Sequence, residues 1–175
     1  RLTAVFEQEG ISAEADAIAM LARAADGSMR DALSLSDQVL SLGEGGITAQ
    51  RVRDALGLVA EDEHLAMLDL IIERRAGDVF GTVARLADYG VDFTVLLSEF
   101  ADVLRAQLAV VLGGQMPEVS DRLREELPKR ATHFAAGDLL RMLSLLVEIE
   151  PHLRRSGQQQ MLFETLLVRC ALLDR

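Results

Sequence analysis

The chain has 175 residues, half of them hydrophobic, and a formal net charge of -10 at neutral pH. That length is enough for one large or two small domains with real cores. The acidity excludes a domain that wraps nucleic acid by itself, because attraction to phosphate needs a basic surface. The basic pairs Arg74–Arg75, Lys129–Arg130 and Arg154–Arg155 read as solvated helix ends.

Helical periodicity runs through the whole chain, and no strand pattern survives inspection, so the fold class is all-α. Leu2, Val5 and Phe6 share one face of a helix over residues 1–9, which Gly10 stops. Ser12 is expected to cap a second helix, residues 13–25, that buries Ile18, Leu21, Ala22 and Ala25 and ends at Gly27. Ser28 and Asp31 form an S-x-x-D capping pattern for a third helix, to about Leu42. "GEGG" is a loop, and Thr48 caps a short helix over 49–56. These four helices make a first unit, residues 1–57.

A second unit, residues 58–175, carries about six more helices. The acidic "AEDEH" opens a helix over 61–75 with Leu65, Leu68, Ile71 and Ile72 as its stripe. Asp78 starts the next, over 79–89, and Asp92 caps a long one over 93–112. Glu99, Asp102 and Arg105 recur on one face of that helix, so it reads as a buried helix and not a membrane span. "GGQMPEVS" is a loop. A charged segment from Ser120 follows, in which Pro128 should break or kink the helix. Gly137 and Asp138 precede a helix over 139–155 with a kink at Pro151, and "SGQQQ" opens the last, to Leu173. No period of solenoid length repeats.

Nothing in the chain builds a self-contained active site. There is no P-loop, H-E-x-x-H, C-x-x-C or G-x-S-x-G pattern, and no catalytic residue or metal-ligand set is assigned. His64, His133 and His152 lie far apart and read as ordinary surface or interfacial histidines. Glu148 and Glu150, two apart on a helix, face different ways. Met29, Met67, Met142 and Met161 fall on apolar faces, and the single cysteine, Cys170, reads as a small core residue. The chain opens without Met and without a cap before Leu2, so a piece of a longer protein is expected, from a cytoplasmic setting.

One constellation stands out in "GSMRDALSLSDQ", residues 27–38. A cation in the first turn of a helix opposes the local dipole by about 0.3–1 kcal/mol, so Arg30 needs a reason. Ser28 can accept from the backbone of Asp31, which leaves the free first-turn amides and the Arg30 guanidinium converging on one point suited to phosphate oxygens. Arg30, Ser34, Asp37 and Ser41 line the polar face of this helix, and Ala32, Leu35, Val39 and Leu42 the buried one. The competing reading is a surface arginine paired with Asp26 or Asp31.

The stretch "LARAADGSMRDALSLSDQVLSLGEGGITAQRVRDALG" resembles the lid of the bacterial AAA+ clamp-loader ATPases, in the gamma/tau family of DNA polymerase III subunits. The resemblance implies that Arg30 is the sensor 2 residue, which reaches the terminal phosphate of ATP, and that Met29 packs near the nucleotide. From Leu58 onward the likeness to the family's third domain, the helical collar, lies in length and helix pattern. It implies a lid and an oligomerisation collar, with no cofactor in this chain; ATP and Mg²⁺ would sit in an ATPase domain that this sequence lacks. The implied partners are gamma/tau copies, delta and delta-prime through the collar, and the sliding clamp and primed DNA through the complete complex, with no membrane contact. A stand-alone helical adaptor without a nucleotide role is the alternative.

Overall fold

The computed structural model describes residues 1–173, and these form ten α-helices with no sheet. They divide into two compact units, Arg1–Leu58 and the remainder from Val59.

In the first unit, α1 (Leu2–Gln8), α2 (Ala15–Ala24), α3 (Met29–Ser41) and α4 (Ala49–Leu56) enclose a core of Leu2, Phe6, Ala17, Leu21, Ala25, Ala32, Val39, Ile47 and Val52. Ser12 does not cap α2. The residues before it are extended and pair in parallel with Ile47: Ile47 N–H donates to Ser12 O at 2.8 Å, and Glu14 N–H to Ile47 O at 2.9 Å. Backbone pairing to a distant strap outcompetes the local cap, and α2 therefore starts two residues later than expected. It buries Ala17 and Leu21, while Ala22 is exposed. Glu14 instead reaches the other helix, accepting from Ala49 N–H at 2.8 Å, next to the expected Thr48 cap on Arg51 N–H.

Arg51 holds this unit together at one corner. Its guanidinium donates to the carbonyls of Gly46 (2.6 Å), Gly43 (2.6 Å), Val39 (3.1 Å) and Leu40 (3.5 Å). It thereby adds donors to carbonyls at the end of α3 and in the following loop, and puts a cation at the negative end of that helix. Gly46 is required here by space: a Cβ on it would lie 2.4 Å from Ser12 O.

In the second unit, α5 (Glu61–Ile72), a 3₁₀ turn and α6 (Val79–Asp88) lead into α7 (Phe93–Val111), then α8 (Asp121–Arg130), α9 (Ala136–Arg155) and α10 (Gln159–Ala171). The long α7 packs against α8, α9 and α10, and its stripe of Phe93, Leu96, Leu97, Phe100, Val103 and Leu104 forms the middle of the core. Asp92 caps it with both Thr94 N–H and Val95 N–H. Asp78 makes no such cap for α6; its carboxylate accepts from Arg75 Nε at 2.6 Å.

Several expectations are corrected in this unit. Pro128 does not break α8, because it sits in the last turn, and the chain tightens into a 3₁₀ turn directly after Arg130. Pro151, by contrast, lies inside α9 near its end, where the sequence placed it. Met161 is half exposed and not core. His64 is no surface residue: it is 3 % exposed, stacked parallel to Phe100, with Nε2 3.5 Å from Glu99 Oε2. Arg130 is not a solvated helix end, since its guanidinium makes a two-pronged bond to Asp69 at 2.6 and 2.8 Å and a third to Glu126 at 3.0 Å, tying α8 to α5. No helix among the described residues is long and apolar enough to cross a membrane.

Candidate functional site

The α2–α3 corner is built by a left-handed turn. Asp26 and Gly27 have φ of +46° and +80°, which reverses the chain in two residues. Gly27 takes that conformation without steric cost, and Asp is among the few other residues that tolerate it. Ser28 N–H then donates to Ala25 O at 2.8 Å, and Ser28 Oγ accepts from Asp31 N–H at 3.3 Å. The return half of the S-x-x-D box is not made, because the Ser28 N–H that Asp31 would accept from is already bonded.

This leaves Arg30 in the first turn of α3, exposed, with no ion pair or hydrogen bond among the described residues. The competing pairing with Asp26 or Asp31 is not formed. Met29 is half buried and packs against the first unit's core, so it steadies the turn from which Arg30 projects. Ser34, Asp37 and Ser41 share the exposed face with Arg30. The buried face is Ala32, Ser36 and Val39; Leu42, one residue past the helix, is 57 % exposed. Ser36 escapes a polar-face assignment by donating its hydroxyl to Ala32 O at 2.6 Å. Among the described residues no group of His, Cys, Asp and Glu could hold a metal ion.

A first-turn guanidinium beside unpaired amides offers charge and directional donors to a phosphate. Residues 1–45 match the family model described as DNA polymerase III clamp loader subunit, ATPase lid domain, and residues 47–174 match DNA polymerase III subunits gamma and tau domain III. The chain belongs to the gamma/tau family of DNA polymerase III clamp-loader subunits. Among its relatives, DNA polymerase III subunit tau of Salmonella typhimurium is 33% identical over 131 residues, which is 71% of this chain and 20% of that protein. Subunit tau of Escherichia coli is 34% identical over the same length, with the same shares. Protein STICHEL-like 1 of Arabidopsis thaliana is 27% identical over 172 residues, 97% of this chain and 15% of that protein. The chain thus spans about a fifth of the length of the tau subunits it matches.

The second family model begins at residue 47, yet α4 packs against α2 and α3 in the first unit. What sequence reasoning missed are the residues that hold the site's scaffold. Arg51 and Glu14 act on carbonyls and amides of other segments, and no local spacing marks them.

Proposed function

We propose that this chain supplies the nucleotide-sensing lid and the oligomerisation collar of an ATP-driven clamp loader, which opens a ring-shaped sliding clamp and places it on primed DNA. The observation that carries the reading is Arg30: a cation at the wrong end of a helix, exposed, and without a carboxylate partner among the described residues although Asp26 and Asp31 are near in sequence. A surface ion pair would be the cheap resting state for an arginine there, and its absence leaves the group available to the terminal phosphate of ATP held by an ATPase domain with its Mg²⁺. Ser28 ends the preceding turn and starts α3, Asp31 N–H completes the cap, and Met29 fixes the turn against the core. Contact with the phosphate would draw the lid onto the ATPase domain.

The collar role is supported by apolar side chains left in solvent on the last two helices. Leu140 and Val147 on α9 are 53 % and 70 % exposed, and Met161 and Leu172 on and just past α10 are 50 % and 53 %. Such residues in series mark a surface that meets a protein partner. The partners are further gamma/tau copies, delta and delta-prime, in the cytoplasm. From Leu58 on the chain has 13 basic and 19 acidic residues by count along the sequence, so the collar is not the part that grips DNA.

The test is Arg30→Ala in the full-length subunit. It should fold normally, because the side chain is exposed and makes no hydrogen bond or ion pair among the described residues, and should lose most of the ATP-stimulated gain in clamp binding. Arg30→Lys should recover only part, since an ammonium lacks the planar fork. Wild-type clamp loading by Arg30→Ala would refute the sensor assignment.

A further inference from the structure

The helix whose first turn carries Arg30 is held with little apolar weight. The buried residues of α3 are Ala32, Ser36 and Val39, of which only Val39 is a sizeable hydrophobe. Its far end is tied by polar groups of α3 and α4. Gln38 Nε2 donates to Ala55 O at 3.0 Å. Arg51 Nη2 donates to Val39 O, Leu40 O and Gly43 O at 3.1, 3.5 and 2.6 Å, and Nη1 donates to Gly46 O at 2.6 Å. Arg51 is itself rooted in the first turn of α4, where Thr48 Oγ1 accepts from its N–H at 3.3 Å. Four carbonyls, from the last turn of α3 and the loop after it, thus fold around one planar cation. α3 has 13 residues. It is therefore about 20 Å long, so a tilt of about 3° about its C-terminal end moves its first turn by about 1 Å. An error of about 1 Å is enough to spoil a positioned contact.

We propose that residues 39–46 form a guanidinium site filled from within by Arg51, and that Arg51 is a positioning residue for Arg30. By fixing the far end of α3, it sets where the cation of the first turn stands. A planar guanidinium serves several carbonyls at once through fixed donors, which an ammonium cannot do. Truncation at residue 51 leaves a carbonyl cradle of a shape and polarity that free guanidinium can enter. The positioning part rests on the nucleotide-sensing reading; the guanidinium site does not.

Calorimetry of this chain tests the site. Arg51→Ala should lower the Tm of the first unit by about 5 °C or more. Guanidinium chloride, far below denaturing concentrations, should recover about a third of that loss or more, while sodium chloride at the same concentration recovers none. The wild type should gain nothing from guanidinium, and Arg51→Lys should recover only part of the loss. If Arg51→Ala does not fold, guanidinium should bring back its helical circular dichroism and sodium chloride should not. In the full-length subunit, Arg51→Ala should cut the ATP-stimulated gain in clamp affinity at least about threefold, and guanidinium should return part of it. In an Arg30→Ala background the same change should cost no further gain, whereas a general loss of structure would add to the first defect. Absence of selective rescue by guanidinium overturns the site. Selective rescue with a wild-type ATP response, or a further loss in the Arg30→Ala background, overturns the positioning role. If Arg30→Ala itself keeps the wild-type ATP response, the sensing reading falls, and the calorimetric comparison still decides the site.

Discussion

Gln107→Met should stabilise the second unit. Gln107 lies on α7, seven residues after Phe100 and fourteen after Phe93, on the stripe that faces the core. It is 0 % exposed, and neither its Oε1 nor its Nε2 has a hydrogen-bond partner. An amide taken out of water without compensation costs about 1–3 kcal/mol on scales from protein mutation. Methionine has the same unbranched length and a similar helix propensity, so it keeps the shape and drops the polar atoms. The expected gain is therefore about 1–3 kcal/mol, with Tm rising about 4 °C for each kcal/mol in a unit of this size. Urea unfolding followed by far-ultraviolet circular dichroism measures it, since the chain has no tryptophan to report by fluorescence. The midpoint should move to higher urea with the slope unchanged. Gln107→Glu should do the reverse, because a carboxylate there must lose its charge or unfold the site. If Gln107→Met lowers stability by more than about 1 kcal/mol, the amide is hydrogen-bonded in the folded protein and the reasoning fails.

Three other outcomes follow from particular contacts. Lys129 first, and then Arg130, hold the Glu126 carboxyl down at about 2, below its ordinary 4.5. A depressed carboxylate contributes stability that is complete above pH 4.5 and is lost as pH falls toward 2. The stability difference between wild type and Glu126→Gln, measured by urea titration at several pH values, should shrink across that window, and a constant difference would contradict the assignment. Burial pushes the Cys170 thiol up to about 12, so a disulfide reagent should leave it unmodified at pH 8 in the native protein and react at once in denaturant. Gly46→Ala should destabilise the first unit by about 1–3 kcal/mol, because the new methyl meets Ser12 O in the backbone and can be accommodated only by parting the Ser12–Ile47 pairing. A calorimetric scan that leaves the first unit's transition in place would show that the strap yields freely.

What could be read directly from the sequence was what neighbours in the chain settle among themselves. Ser28, Thr48 and Asp92 cap the helices they precede, because a capping side chain and the amide it accepts from are two or three residues apart. The all-helical class followed from periodicity, and the candidate site was legible because Ser28, Met29, Arg30 and Asp31 are contiguous. Where the structure departs from expectation, the deciding partner is remote. Ser12 lost its cap to Ile47. His64 went inside to meet Glu99, and Arg130 left solvent for Asp69, sixty-one residues away in sequence. Arg51 found four carbonyls in the preceding helix and loop. A polar side chain's place depends on which donor or acceptor the packed helices bring to it, and that choice is made when α5 meets α7 and α8, not along any single helix. The same holds for Leu42 and Met161, whose exposure was fixed by where a helix ended and which face its neighbours covered. Periodicity marks a face as apolar; only packing decides whether that face is covered.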